Sequence, residues 1–129
     1  MPLGLGYPPS MPTPRKESDY LNGVPELLML RLLARKPMHG YELVQAIRFA
    51  TGGVVAFGEG CVYPILHRLE EDGVLAGGRE SVGGRSRVVY RITAAGRKRL
   101  QASASRWETV AAAIAGVLGG DGHAAPGLA

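Results

Sequence analysis

Tyr63, His67 and Arg68 stand close together in a run that has the chemistry to meet a polyanion. In Cys61-Val62-Tyr63-Pro64-Ile65-Leu66-His67-Arg68-Leu69 the apolar Val62, Ile65, Leu66 and Leu69 recur at i, i+3, i+4 and i+7, the stripe of a helix laid on a core. Cys61, Tyr63, His67 and Arg68 are left on its outward faces. An arginine there suits bidentate pairing with a guanine edge, while tyrosine and histidine donate to phosphate or stack on a sugar. Arg68 is the sharpest candidate for reading a base. Farther on, Arg85-Ser86-Arg87 follows Gly83-Gly84, and a glycine turn lets backbone approach a ligand closely. Arg85, Ser86 and Arg87 therefore form a second group suited to phosphates. Residues 68–106 hold nine basic and four acidic side chains, an excess of five against +4 for the whole chain. Glu70 and Glu71 should turn away from any phosphate, which would repel them.

Each candidate has a plainer role to set beside this one. Tyr41 and Tyr63 serve equally as boundary aromatics between two helices. His39, just before a helical segment, is a cap or surface residue rather than a metal ligand, because no second ligand type lies at useful spacing. Cys61 is a small filler, or a redox-sensitive thiol if a helix N-terminus favours its thiolate. Arg97-Lys98-Arg99 is a solvated first turn, although the helix dipole disfavours cations there and so favours phosphate contact. No nucleophile with a base, paired carboxylates, metal cluster or phosphate loop is present, and Gly58-Glu59-Gly60 lacks the lysine and spacing of a P-loop. The chain should not be an enzyme, and neither metal nor cofactor is expected.

These groups need elements to hold them. Residues 24–36 carry Val24, Leu27, Leu28, Leu30, Leu32 and Leu33 at helical spacing, with Pro25 and Glu26 suited to a first turn. A second helix over 39–51 presents Leu43, Val44 and Ile47 on one face and breaks at Gly52-Gly53. The third spans about 60–72, with Pro64 tolerable only in its first turn and Gly73 as its C-terminal glycine. Val74-Leu75 and Val88-Val89-Tyr90-Arg91-Ile92 are β-prone and flank residues 81–87, which reads as a hairpin with a basic tip. Thr93 is an N-cap for a long helix over 94–118, blemished by Gly96. Along that helix Leu100, Ala104, Trp107, Ala111, Ile114 and Leu118 follow a near-heptad seam. Such a seam needs a partner.

Composition sets the frame. A chain of 129 residues with 46% hydrophobic and 20% charged residues has room for one folded domain. Six of its 9 Pro and six of its 19 Gly fall in residues 1–19 and 119–129, which hold few large aliphatics and are expected to be disordered. Residues 20–93 form the domain and 94–118 the dimerisation helix. One cysteine rules out an internal disulfide. No signal peptide or membrane-length run is evident, and a cytoplasmic protein is expected.

Helix, helix, helix, hairpin is the order of a winged helix-turn-helix, mainly α with a small β-hairpin, whose third helix enters a DNA major groove. The residues sharpen this. Met38-His39-Gly40-Tyr41-Glu42-Leu43, Val62-Tyr63-Pro64-Ile65-Leu66-His67-Arg68-Leu69-Glu70 and Gly83-Gly84-Arg85-Ser86-Arg87-Val88-Val89-Tyr90-Arg91-Ile92-Thr93, followed by Gly96, resemble the PadR-like transcriptional regulators over residues 24–118. The resemblance implies a homodimer, joined through Leu27 of helix one and the seam of Leu100, Ala104, Trp107, Ala111, Ile114 and Leu118 on the last helix, that represses promoters on double-stranded DNA until an effector loosens it. It places Tyr63, His67 and Arg68 on the recognition helix, Tyr41 near the phosphates, and Arg85 and Arg87 on the wing. Threonine is usual where Cys61 stands, so one hydroxyl contact to phosphate is missing. The short subfamily it looks like includes sensors of flat aromatic drugs, which gives Trp107 a second role beside interface anchor: contact with a small hydrophobic or aromatic effector. A winged-helix adaptor that binds protein instead of DNA is the alternative, and an apolar or acidic third-helix face would mark it. The MarR-like regulators are a further winged family, but His39-Gly40-Tyr41, Tyr63-Pro64 and the single long C-terminal helix favour the PadR-like reading.

Overall fold

A computed structural model describes residues 17–119, with side chains from residue 23 onward. The expected disorder of residues 1–16 and 120–129 lies outside the described residues. The element order is α1 (Glu17–Arg35), β1 (Met38–His39), α2 (Gly40–Ala50), α3 (Glu59–Glu71), β2 (Leu75–Val82), β3 (Arg85–Ile92) and α4 (Ala94–Gly119). This is the winged helix-turn-helix that the sequence leads one to expect, with four helices and one small antiparallel sheet.

The core forms where the helical stripes converge on the base of the hairpin. Met29, Leu30 and Leu33 of α1, Leu43 and Ile47 of α2, and Val62, Leu66 and Leu69 of α3 are buried against Leu75, Tyr90 and Leu100. Full burial of each large aliphatic contributes about 1.5–3 kcal/mol, and this convergence fixes the depth at which α3 sits. Gly73, at φ +78°, reverses the chain after α3 into a left-handed conformation that suits glycine. Thr93 caps α4 as expected. Its Oγ accepts from the Gly96 amide at 3.0 Å and donates to the Gly73 carbonyl at 2.8 Å, tying α4 to the end of α3.

Several boundaries differ from the sequence reading. Helix α1 begins at Glu17, inside the arm expected to be disordered, so Pro25 lies well within it rather than in its first turn. A proline there forfeits one amide hydrogen bond, and Pro25 is buried, so packing of its ring offsets the loss. Pro64 likewise sits in the second turn of α3 rather than the first. The carbonyl it leaves without an amide partner belongs to Gly60, which is exposed, so water can take that bond. Gly119 ends α4 rather than opening a tail.

The sheet contains a strand that sequence reasoning missed. β1 pairs with β3 through Met38↔Tyr90 and His39↔Val89, giving the order β1-β3-β2. The hairpin is also longer than expected. The strands run to Val82 and Arg85, and the tip is only Gly83-Gly84, both at positive φ (+59° and +80°), as the mirror-image two-residue hairpin turn requires.

Candidate nucleic-acid interface

Helix α3 turns Val62, Ile65, Leu66 and Leu69 inward, which leaves Gly60, Pro64, His67 and Glu71 along the opposite, exposed side. Thirteen residues at 1.5 Å rise make a rod of about 20 Å, slim enough for a major groove. Tyr63 is half-buried at the edge of this face, its ring 6.4 Å from that of His67 and tilted by 50°. A Cβ on Gly40 would stand 2.4 Å from Tyr63 Cζ, so Tyr63 packs directly on the start of α2. The packing role is therefore realised, while the edge of the ring beside His67 stays near solvent.

Tyr41, 48% exposed, follows Gly40 on the first turn of α2. His39 caps that helix as expected, its Nδ1 accepting from the Glu42 amide at 3.3 Å. Glu70 turns towards the wing, where its carboxylate accepts from the Gly77 amide at 3.3 Å. This carboxylate and Tyr63 both flank Tyr90, whose phenol pKa is pushed above its ordinary value, first by burial and then by Glu70 and Tyr63. A neutral tyrosine thus closes the junction between α3 and β3.

The wing divides its charges between two faces. Residues directly opposite in an antiparallel pair share a face, so Glu80↔Arg87 and Val82↔Arg85 lie on one side and Arg79↔Val88 and Ser81↔Ser86 on the other. Arg85 and Arg87 therefore share one face with Arg91, which pairs with Glu80. Ser86 belongs to the other face, where its hydroxyl accepts from Arg79 Nη1 at 3.3 Å. Arg79 was missed by sequence reasoning. The signal was there: a Gly-Gly turn of two residues fixes the register, and alternation then places position 79 beside 81 and 86. Among the described residues no carboxylate pairs with Arg85, Arg87, Arg97 or Lys98.

Arg68 is placed differently from the rest. It lies in the last turn of α3, and its Nη2 donates to Glu26 Oε1 at 3.0 Å. Arg99 leaves the Arg97-Lys98-Arg99 group to join the same carboxylate. Its pKa rises because hydrogen bonds and charge from Glu26 and Asp72 outweigh the opposing effect of burial. Cys61 is half-buried near the start of α3.

The residues expected at a subunit interface separate into two sets. Leu100 is buried in the core of its own chain and Leu27 packs against that core, so neither needs a second copy to account for its apolarity. Beyond them α4 extends with Trp107 45% exposed, Ile114 half exposed, and Val117 and Leu118 each 80% exposed. No described helix is long and apolar enough to cross a membrane.

Three helices under a basic two-stranded wing define a winged-helix DNA-binding regulator. The family model for the transcriptional regulator PadR-like family matches residues 29–102. The chain belongs to the PadR-like family of transcriptional regulators. It is 47% identical over 66 residues to a transcriptional regulator of Mycobacterium tuberculosis, an alignment covering 51% of this chain and 59% of that protein. A solved transcriptional regulator from Clostridium thermocellum superposes with a TM-score of 0.68 at 28% identity, covering 74% of this chain and 94% of that one. A PadR-like transcriptional regulator from Bacillus cereus gives a TM-score of 0.68 at 26% identity, covering 81% and 99%.

Proposed function

We propose that this chain is a cytoplasmic, homodimeric repressor that binds an inverted-repeat operator in double-stranded DNA, acting by binding and not by catalysis. The observation that carries this reading is the combination of an exposed α3 face at His67, edged by half-buried Tyr63, with Arg85 and Arg87, neither of which forms an ion pair with a described carboxylate. In this reading α3 enters the major groove, Tyr41 meets the phosphates, and Arg85 and Arg87 follow the backbone beside the wing. The second copy covers the seam of half-buried Ala104 and Ala111 and exposed Trp107, Ile114 and Leu118. Two recognition helices then engage half-sites about 34 Å apart, one turn of DNA. Trp107, on a face that its own chain leaves open, is also the residue suited to stack on a small aromatic effector that releases the DNA.

The test is selection of bound duplexes from a random pool, with the salt dependence of the selected sequence compared with that of scrambled DNA. Enrichment of an inverted repeat, bound with a steep salt slope, is expected. Binding that ignores sequence, or none, would overturn the reading in favour of an adaptor that uses the same fold to hold a protein.

A further inference from the structure

Glu26 gathers three helices at one point. Its side chain, only 15% exposed, accepts from Arg68 Nη2 at 3.0 Å, from Arg99 Nε at 3.0 Å and from Arg99 Nη2 at 3.2 Å. The remaining arm of Arg99 donates through Nη1 to Asp72 Oδ2 at 3.0 Å. Two guanidiniums and two carboxylates thus close a neutral cluster linking α1 (Glu26), the end of α3 (Arg68, Asp72) and α4 (Arg99). An isolated exposed ion pair contributes little. Here, however, one half-buried carboxylate takes a bidentate fork from one arginine and a further bond from another, the geometry in which charge-assisted bonds are strong and directional.

Direction is what the core does not supply. The stripe of Val62, Ile65, Leu66 and Leu69 sets the depth of α3, but burial is non-directional and tolerates small rotations of the helix about its axis. Arg68 and Asp72 stand four residues apart, hence one above the other on a single face. Holding both fixes that rotation, and with it the direction in which Tyr63 and His67 project.

We propose that Glu26 and Arg99 are positioning residues for the recognition helix, and that Arg68 is its tether to α1 and α4 rather than a base reader. The inference rests on the DNA-binding reading above for its consequence, though the tether itself is independent of DNA.

The experiment is a double-mutant cycle of Glu26→Gln and Arg68→Ala, with Arg68→Lys as a third variant. Binding to the operator selected by the parent protein is measured together with hydrogen exchange of α3 in the DNA-free protein. A tether predicts that either single change weakens operator binding by roughly five- to tenfold, within the usual range of site-to-site coupling. The double variant should lose no more than the weaker-binding single one, reselection should return the same motif, and Arg68→Lys should bind within about twofold of the parent because it keeps the charge. Amides in the last turn of α3 should exchange faster in both single variants, with α2 unchanged. Base reading predicts the opposite pattern. Arg68→Ala would relax one base position, Arg68→Lys would not restore it, and Glu26→Gln would free the arginine and tighten binding. That pattern, additive losses, or unaltered α3 exchange would overturn the proposal. If the parent protein selects no operator, the DNA-binding reading fails by itself, and the exchange measurement alone decides the tether.

Discussion

The ring of Tyr63 fills the space that a side chain at position 40 would need: a Cβ on Gly40 would meet Tyr63 Cζ at 2.4 Å, Cε1 at 2.5 Å and Oη at 2.6 Å. Glycine at the head of α2 thus lets α3 close on it, with an aromatic ring as the spacer between the two helices of the helix-turn-helix.

The relationship predicts a specific rescue. Gly40→Ala should destabilise the fold by about 1–3 kcal/mol, the usual cost of overpacking a filled site. Tyr63→Ala empties the same volume, so the double variant should recover part of that loss, and equilibrium urea unfolding reads the coupling directly. Strictly additive losses would show that the ring yields freely to a methyl group.

Gly96 supports a prediction opposite to helix propensity. An alanine in an exposed helix interior is better than glycine by about 0.8–1.0 kcal/mol, which would make Gly96→Ala stabilising. A Cβ there, however, would stand 2.2 Å from the Val74 carbonyl oxygen and 2.6 Å from Ile92 Cγ1. Backbone cannot step aside as a flexible side chain can. Gly96→Ala should therefore lower stability by at least about 2 kcal/mol, towards the upper part of the overpacking range, with a reduced midpoint in thermal unfolding. An unchanged or raised midpoint would refute the close approach.

Local pattern made the α2, α3 and α4 spans legible, because an apolar stripe or a capping threonine announces itself within a few residues. Position 96, by contrast, reads as a blemish in a helix, because its reason lies at Val74, in the segment that joins α3 to β2. β1 was hidden for the same reason. Met38-His39 is too short to alternate, and becomes a strand only because Tyr90 and Val89 lie beside it. Pro25 misled the start of α1, since a proline rule about first turns takes no account of a buried ring. Glu26 and Arg68 looked like a first-turn acid and a free base reader. Their separation of 42 residues, and the 73 between Glu26 and Arg99, leaves no local trace of their meeting. Leu100 shows a further limit: heptad spacing records that a position is covered, without saying whether the cover is the same chain or a second one.

The wing supports opposite outcomes from neighbouring charges. Arg85→Ala or Arg87→Ala should each lower the slope of log affinity against log salt by about one, weakening all sequences alike, as expected when one phosphate contact is lost. Glu80 faces Arg87 in register and holds Arg91, so its carboxylate subtracts from the field of that face. Glu80→Gln should tighten binding several-fold at low salt, with the gain fading as the Debye length falls from about 10 Å at 0.1 M to about 3 Å at 1 M. Fluorescence anisotropy over a salt series measures both effects, and a weaker Glu80→Gln variant would show that the wing needs its ion pair for shape more than the DNA needs it removed.

Leu100 and Ile114 lie on one seam of α4 and should fail in different ways. Leu100 is buried in its own chain, so Leu100→Ala should cost about 2–5 kcal/mol of stability by leaving a cavity whatever the assembly. Ile114, half exposed on the part of α4 that its own chain leaves uncovered, is the better probe of a second copy. Ile114→Glu places a carboxylate on the apolar face that two protomers would have to desolvate. The expected outcome is a folded monomer by sedimentation, with an unfolding midpoint independent of protein concentration, whereas the parent protein should sediment as a dimer with a midpoint that rises with concentration through mass action. Such a monomer offers a single recognition helix and should lose the operator far more completely than it loses non-specific DNA, because half-site spacing has meaning only for a pair. Sedimentation of Ile114→Glu as a dimer would move the interface to another face and remove the seam from the account of operator recognition.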